Sequence, residues 1–234
     1  MKRILAIVCA TIFLSVMAVN AQDRDNVLIY RQFSQRIQAA AAAESTETIL
    51  SIRSEISEYL TALPPSSQEY FVNLCLICDL NVGVLLVNQK DYKQGVSYLE
   101  SAMTSSSVKI RNQTEPFLVS AYDGWSGEEE SRHNLSEAIA LKEKMAFHAQ
   151  RIGRMDRYAK ALIKLAQLYE SNGDREIASD CLDNALKVDA SPETRALGES
   201  LIQKSLADIP LERTREITRA HLLEIENGKR DFRF

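Results

Sequence analysis

Residues 158–190 read YAKALIKLAQLYESNGDREIASDCLDNALKVDA. Leu162, Leu165, Ala166 and Tyr169 recur at the three-and-four spacing that lines one face of an α-helix. Ile177, Ala178, Cys181, Leu182, Ala185 and Leu186 repeat that pattern beyond Asn172-Gly173-Asp174. The spacing predicts two helices joined by a tight turn at Gly173, since glycine just past a periodic run is a helix stop. Small side chains at Ala166, Ala178 and Ala185 let the two backbones approach closely, and the larger ones fill the gaps. A single hairpin of this kind leaves apolar flanks uncovered, so it requires stacked neighbours.

Tyr169, Gly173, Ala178, Leu182, Ala185 and Pro192 carry the spacing of the tetratricopeptide repeat, and residues 159–192 resemble one closely. Val82, Gly83, Leu86, Gly95, Leu99 and Ala102 stand in the same register as Leu165, Ala166, Tyr169, Ala178, Leu182 and Ala185, so residues 76–109 resemble a second copy. That copy departs from the family pattern twice: Lys90 replaces the turn glycine, and Asp79 stands where a large apolar residue is usual. The separation of the two copies is not a whole number of repeats of roughly 34 residues, so a longer, less regular unit is expected between them.

The rest of the chain reads as helices too. Asp25–Ala43 presents Tyr30, Phe33, Ile37 and Ala40 on one face, and a helix opening at Ser45 or Thr46 presents Ile49, Ile52, Ile56, Tyr59 and Leu63. Ser66-x-x-Glu69 reads as a capping box opening a helix that is apolar nearly all round to Asn88, the mark of a bundle's central helix. Val108–Tyr122 reads as a helix with Pro116 in its first turn or at a kink. Asp123–Glu130 reads as a polar loop, and Asn134-x-x-Glu137 as a second capping box. Helices are also expected from Ser191-Pro192-Glu193 and after Pro210, ending at Gly228. The resemblance implies an all-α fold, a short right-handed α-α superhelix of about ten helices occupying residues 22–234.

Residues 1–21 stand apart. Lys2-Arg3 precedes an almost wholly apolar run from Ile4 to Val19, and Val19-Asn20-Ala21 offers small residues for a signal peptidase. The run is short of the roughly twenty residues of a spanning helix. A cleaved signal peptide and an exported chain, periplasmic or secreted, are expected, with no membrane insertion once the signal is removed. Formal net charge is −4, and no basic stripe offers itself to phosphates, so nucleic acid is not an expected partner.

No catalytic, metal or cofactor site is legible. Cys75-Leu76-Ile77-Cys78 lies inside an apolar helix, so its thiols read as small core hydrophobes. His133, His148 and His221 stand in no recognisable catalytic or zinc motif. A protein or peptide partner is therefore the expectation. In tetratricopeptide proteins the first helices of successive repeats line a concave groove for such a partner. The resemblance places Lys160, Ile163, Gln167, Glu170 and Ser171 on that groove, together with Ile77, Leu80, Val84, Val87 and Asn88. The second set is greasy: it is either an anchor pocket or covered by the chain's own N-terminal helices, and the rarity of large exposed apolar patches favours cover. Trp125, in the expected loop, and Tyr122 beside it are candidate anchors for a partner or for a small molecule or glycan; the alternative is that the Trp125 indole folds back onto the core.

Overall fold

The computed structural model describes residues 21–189, together with residues 192, 195, 196, 199 and 200. The expected signal segment, the helices beyond Ser191 and the terminal tail fall wholly or largely outside them. Eight α-helices run through the described residues, which contain no strand: α1 Ala21–Ala42, α2 Thr46–Thr61, α3 Pro65–Asn88, α4 Tyr92–Met103, α5 Val108–Ser131, α6 Leu135–Arg151, α7 Met155–Asn172 and α8 Arg175–Val188. The fold is all-α, with consecutive helices packed against each other; eight helices are described where about ten were expected. The chain divides into two compact units, residues 1–125 and 126–234.

Five connections share one design. Glu44, Lys90, His133, Gly153 and Gly173 each hold a positive φ at the end of a helix. The next residue's N–H reaches back five positions: Ser45 to Ala40 (3.0 Å), Asp91 to Leu86 (2.9 Å), Asn134 to Glu129 (2.9 Å), Arg154 to Ala149 (2.9 Å) and Asp174 to Tyr169 (2.8 Å). This left-handed closure satisfies carbonyls that the helix end would otherwise orphan. The residue that makes the bond is also the N-cap of the following helix. One residue thus closes a helix and its neighbour opens the next, which brings the chain back in antiparallel pairs.

In the first unit, Phe33, Ile37, Ile49, Ile52, Ile56, Phe71, Leu74 and Ile77 form one cluster from α1, α2 and α3. The rings of Tyr59 and Phe71 meet at 5.0 Å. Leu74–Leu85 of α3 are buried without a break, so its apolar character all round has a use within the unit. This helix is long and apolar enough to cross a membrane by length and composition, as a buried core helix also is. The α3–α4 hairpin is closest at two glycines. A Cβ on Gly83 would lie 2.7 Å from Leu99 Cγ and 3.0 Å from the Gly95 carbonyl; one on Gly95 would lie 2.7 Å from Val87 Cγ2.

Asp79 is buried in that hairpin. It accepts from Arg53 Nε at 2.5 Å and Nη2 at 3.2 Å, and from Ser101 Oγ at 2.7 Å, which ties α2, α3 and α4 together. A buried carboxylate survives only with such partners. Cys75 and Cys78 are buried thiols in no disulfide, and burial pushes the Cys75 thiol up, away from the reactive thiolate form.

Three expectations are corrected. The Asp123–Glu130 loop is helix, the last part of α5. Gly124 sits there because Tyr92 lies against it: a Cβ would fall 2.4 Å from the ring. Pro116 lies inside α5 rather than in its first turn. It leaves the Asn112 carbonyl without its helical donor, and Asn112 is exposed, where water can serve. Neither capping box forms. Pro64 is the N-cap of α3, with Pro65 in its first turn, and the Glu69 carboxylate accepts instead from Ser106 Oγ at 2.8 Å. Asn134 is the N-cap of α6, but its amide donates to Glu129 Oε2 at 2.9 Å.

Candidate functional site

In the second unit α7 lies between α6 and α8, packing on both. Its inner face is Ala159, Ala161, Leu162, Leu165, Ala166 and Leu168, all buried. Ala166, Ala178 and Leu182 form the small core of the α7–α8 hairpin, with Tyr169 and Cys181 packed beside it. These are the positions that Gly83, Gly95 and Leu99 hold in the α3–α4 pair. Tyr169 donates to Glu143 Oε1 at 2.6 Å, which fixes α7 to α6; burial, then this bond, pushes its phenol up beyond the usual range.

Lys160, Ile163, Gln167, Glu170 and Ser171 follow one another along α7 at helical spacing, on the side away from that inner face. Lys160 and Ser171 are exposed; Ile163, Gln167 and Glu170 are half-buried. The strip therefore offers a cation, an apolar side chain, an amide, a carboxylate and a hydroxyl in sequence. At its edge Lys164 pairs with Glu130 at 2.6 Å. Such a mixed row suits hydrogen bonding to an extended chain or a helix with one apolar contact.

The matching residues of the first unit differ. Ile77, Leu80 and Val84 are buried, Val87 is half-buried and Asn88 is exposed. Ile77 sits in the cluster with Phe33, Ile37 and Ile49, so α1 and α2 lie over it. Tyr122 is buried on α5 and donates to Glu100 Oε1 at 2.5 Å; Trp125 is half-buried on the same helix. Neither stands on an exposed loop, so the expected loop anchor is corrected with the loop. The glutamates of the expected polar loop are held in place on the helix: Arg132 meets Glu128 at 3.7 Å and Glu129 at 2.7 Å, and Glu130 takes Lys164. Among the described residues no group of three His, Cys, Asp or Glu side chains is arranged to hold a metal ion.

Asp79 and its Arg53 partner were the feature hardest to find in the sequence. Its signal was an acid interrupting an apolar helix, which calls for a cation within reach.

Residues 159–192 match the family described as Tetratricopeptide repeat. No curated protein and no solved structure gives a significant match to the chain. A repeat of this family points to a non-enzymatic, protein-binding scaffold fold. By their register and the hairpin they form, residues 159–192 are a tetratricopeptide repeat, which supports a place for the chain in that superfamily.

Proposed function

We propose that this chain is an exported, non-catalytic scaffold of the bacterial cell envelope or its surroundings, which holds a protein or peptide partner along the outer strip of α7. The observation that carries the reading is the tetratricopeptide repeat at 159–192, whose first helix leaves Lys160, Ile163 and Gln167 at least partly accessible. The inward residues of α7 are spent on packing, and that outer row is what remains for a partner. Export rests on Lys2-Arg3, the apolar run to Val19 and the small residues before Gln22.

Two measurements test this. A photo-reactive residue at Gln167 should cross-link one discrete partner in intact cells, while the same probe at Asn184, exposed on α8, should not. Equal labelling at both positions, or none at Gln167, contradicts the reading. N-terminal sequencing of the mature chain should begin at Gln22; a chain that retains Met1 and stays in the cytoplasm removes the export half.

A further inference from the structure

Among the described residues four glycines stand inside helices: Gly83, Gly95, Gly124 and Gly127. Glycine within a helix costs stability relative to alanine, so each needs a reason. Three have one inside the fold. Leu99 and the Gly95 carbonyl lie against Gly83, Val87 against Gly95, and the Tyr92 ring against Gly124. Gly127 differs. It is exposed on α5, and a Cβ there would meet nothing within 4 Å. Its neighbour Ser126 is spent on packing, with its hydroxyl on the Ala138 carbonyl at 2.7 Å.

Gly127 adjoins the outer strip of α7. Glu130 follows it by one turn on α5 and accepts from Lys164 Nζ at 2.6 Å, which joins the edges of the two helices. Residues three and four apart are neighbours on a helix surface. Gly127 therefore shares that edge with Glu130, and Lys160 and Gln167 share the facing edge with Lys164. Half-buried Ile163 precedes Lys164 directly. The side chains of Lys160, Gln167 and Glu170 engage no other group among the described residues. A notch, an apolar side chain and an unspent cation thus lie along one junction.

The notch selects the form of the partner. An extended peptide that binds by its backbone needs a sheet edge or other unpaired main-chain groups, and the N–H and C=O groups here are spent within helices. A helix needs a small residue for one of its ridges to enter, as α4 brings Leu99 to Gly83. We propose that the partner presents an amphipathic helix that crosses α5 at Gly127, with a large apolar side chain over the glycine and Ile163 and a carboxylate on Lys160. This rests on the scaffold reading above and adds the partner's form and chemistry.

The test keeps the photo-reactive residue at Gln167 in intact cells and changes the notch. Gly127→Leu fills it with a residue that favours helix, so the melting temperature of the purified mature chain should not fall. Cross-link yield should drop by about tenfold or more, as overpacking a fitted contact does. Gly127→Ala should raise the melting temperature by roughly 1–4 °C and reduce the yield less. Lys160→Glu should lower the yield as well, whereas Asn184→Leu on α8 should leave it unchanged. A second probe at exposed Ser131, one turn beyond Gly127, should capture the same protein. The partner peptides joined to the two probes should come from one segment with apolar residues at three-and-four spacing.

The proposal is overturned by a Gly127→Leu chain that melts as high as the wild type and cross-links as well, by a Ser131 probe that labels nothing or a different protein, or by a captured segment without that spacing. Should leucine lower the melting temperature, Gly127→Ala and the Ser131 probe decide. The two readings fail separately. A discrete Gln167 cross-link indifferent to Gly127→Leu sinks this proposal alone; no cross-link at Gln167 sinks the scaffold reading.

Discussion

Lys90 shows what a single residue pays at a helix end. It holds φ +66° at the register position of Gly173, at φ +94°. A side-chain-bearing residue in that region is disfavoured by roughly 1–2 kcal/mol, part of which glycine returns through its freer unfolded chain. Lys90→Gly should therefore raise stability by up to about 1 kcal/mol. Gly173→Ala should lower it by about as much. Nothing lies within 4 Å of a Cβ on Gly173, so the loss would be conformational rather than steric. Urea unfolding of the two variants checks both signs. The turns at Gly153 and Gly173 are marked by glycine and the one at Lys90 by the repeat register alone; the left-handed backbone at Glu44 and His133 has no glycine to announce it.

Tyr122 adds a pH dependence. Burial first, then its bond to Glu100, pushes the phenol well above its ordinary value of about 10. The folded chain keeps this proton while the unfolded chain gives it up. The contribution is thus intact below about pH 10 and declines as pH rises further. The melting temperature of the wild type should fall more steeply above pH 10 than that of Tyr122→Phe; parallel curves would show that Tyr122 titrates normally.

At the scale of elements, two contacts define the α3–α4 hairpin. The glycines are there for closeness. Alanine at Gly83 would gain up to about 1 kcal/mol of helix propensity. It would meet the Leu99 side chain and the Gly95 carbonyl, and such overpacking costs roughly 1–3 kcal/mol, so Gly83→Ala should destabilise on balance. Equal or higher stability in a thermal melt would show that the helices can part without loss. Asp79 and Arg53 are unequal partners: Asp79 is buried, whereas the Arg53 side chain is 39% exposed. Arg53→Met leaves a buried carboxylate with only Ser101 and should cost roughly 2–4 kcal/mol. Asp79→Leu places the side chain that Leu162 has in the other hairpin, and frees an arginine that can turn to water, so it should cost less. The double variant should lie close to the wild type, a non-additivity that a double-mutant cycle measures.

The same elements show where the sequence was readable. Gly83, Leu99, Ala166 and Leu182 announce their hairpins because helix pairs that cross closely demand small residues opposite large ones. α5 was hidden because its continuity through Asp123-Gly124-Trp125-Ser126 depends on tertiary contacts. Tyr92 lies against Gly124, and Ser126 Oγ donates to the Ala138 carbonyl at 2.7 Å. Local propensity reads such a stretch as loop. The capping boxes failed for a related reason: Pro65 already opens α3, and Glu129 claims the Asn134 amide.

At the scale of the whole molecule, stability and function draw on the same helices. The first unit buries its central helix α3 on nearly every side, so Ile77, Leu80 and Val84 act as core. The second unit packs α7 on one face and leaves the other at least partly accessible. The family resemblance located both rows of residues, but it did not distinguish the covered row from the accessible one. That difference comes from α1 and α2 lying over Ile77, a contact far apart in sequence. The most direct measurement titrates the partner captured at Gln167 against the wild-type chain and against Ile163→Glu. Affinity should fall by about tenfold or more with helicity and melting temperature unchanged, as for a charge placed in an apolar contact. Undiminished affinity would contradict a binding surface on the outer strip of α7.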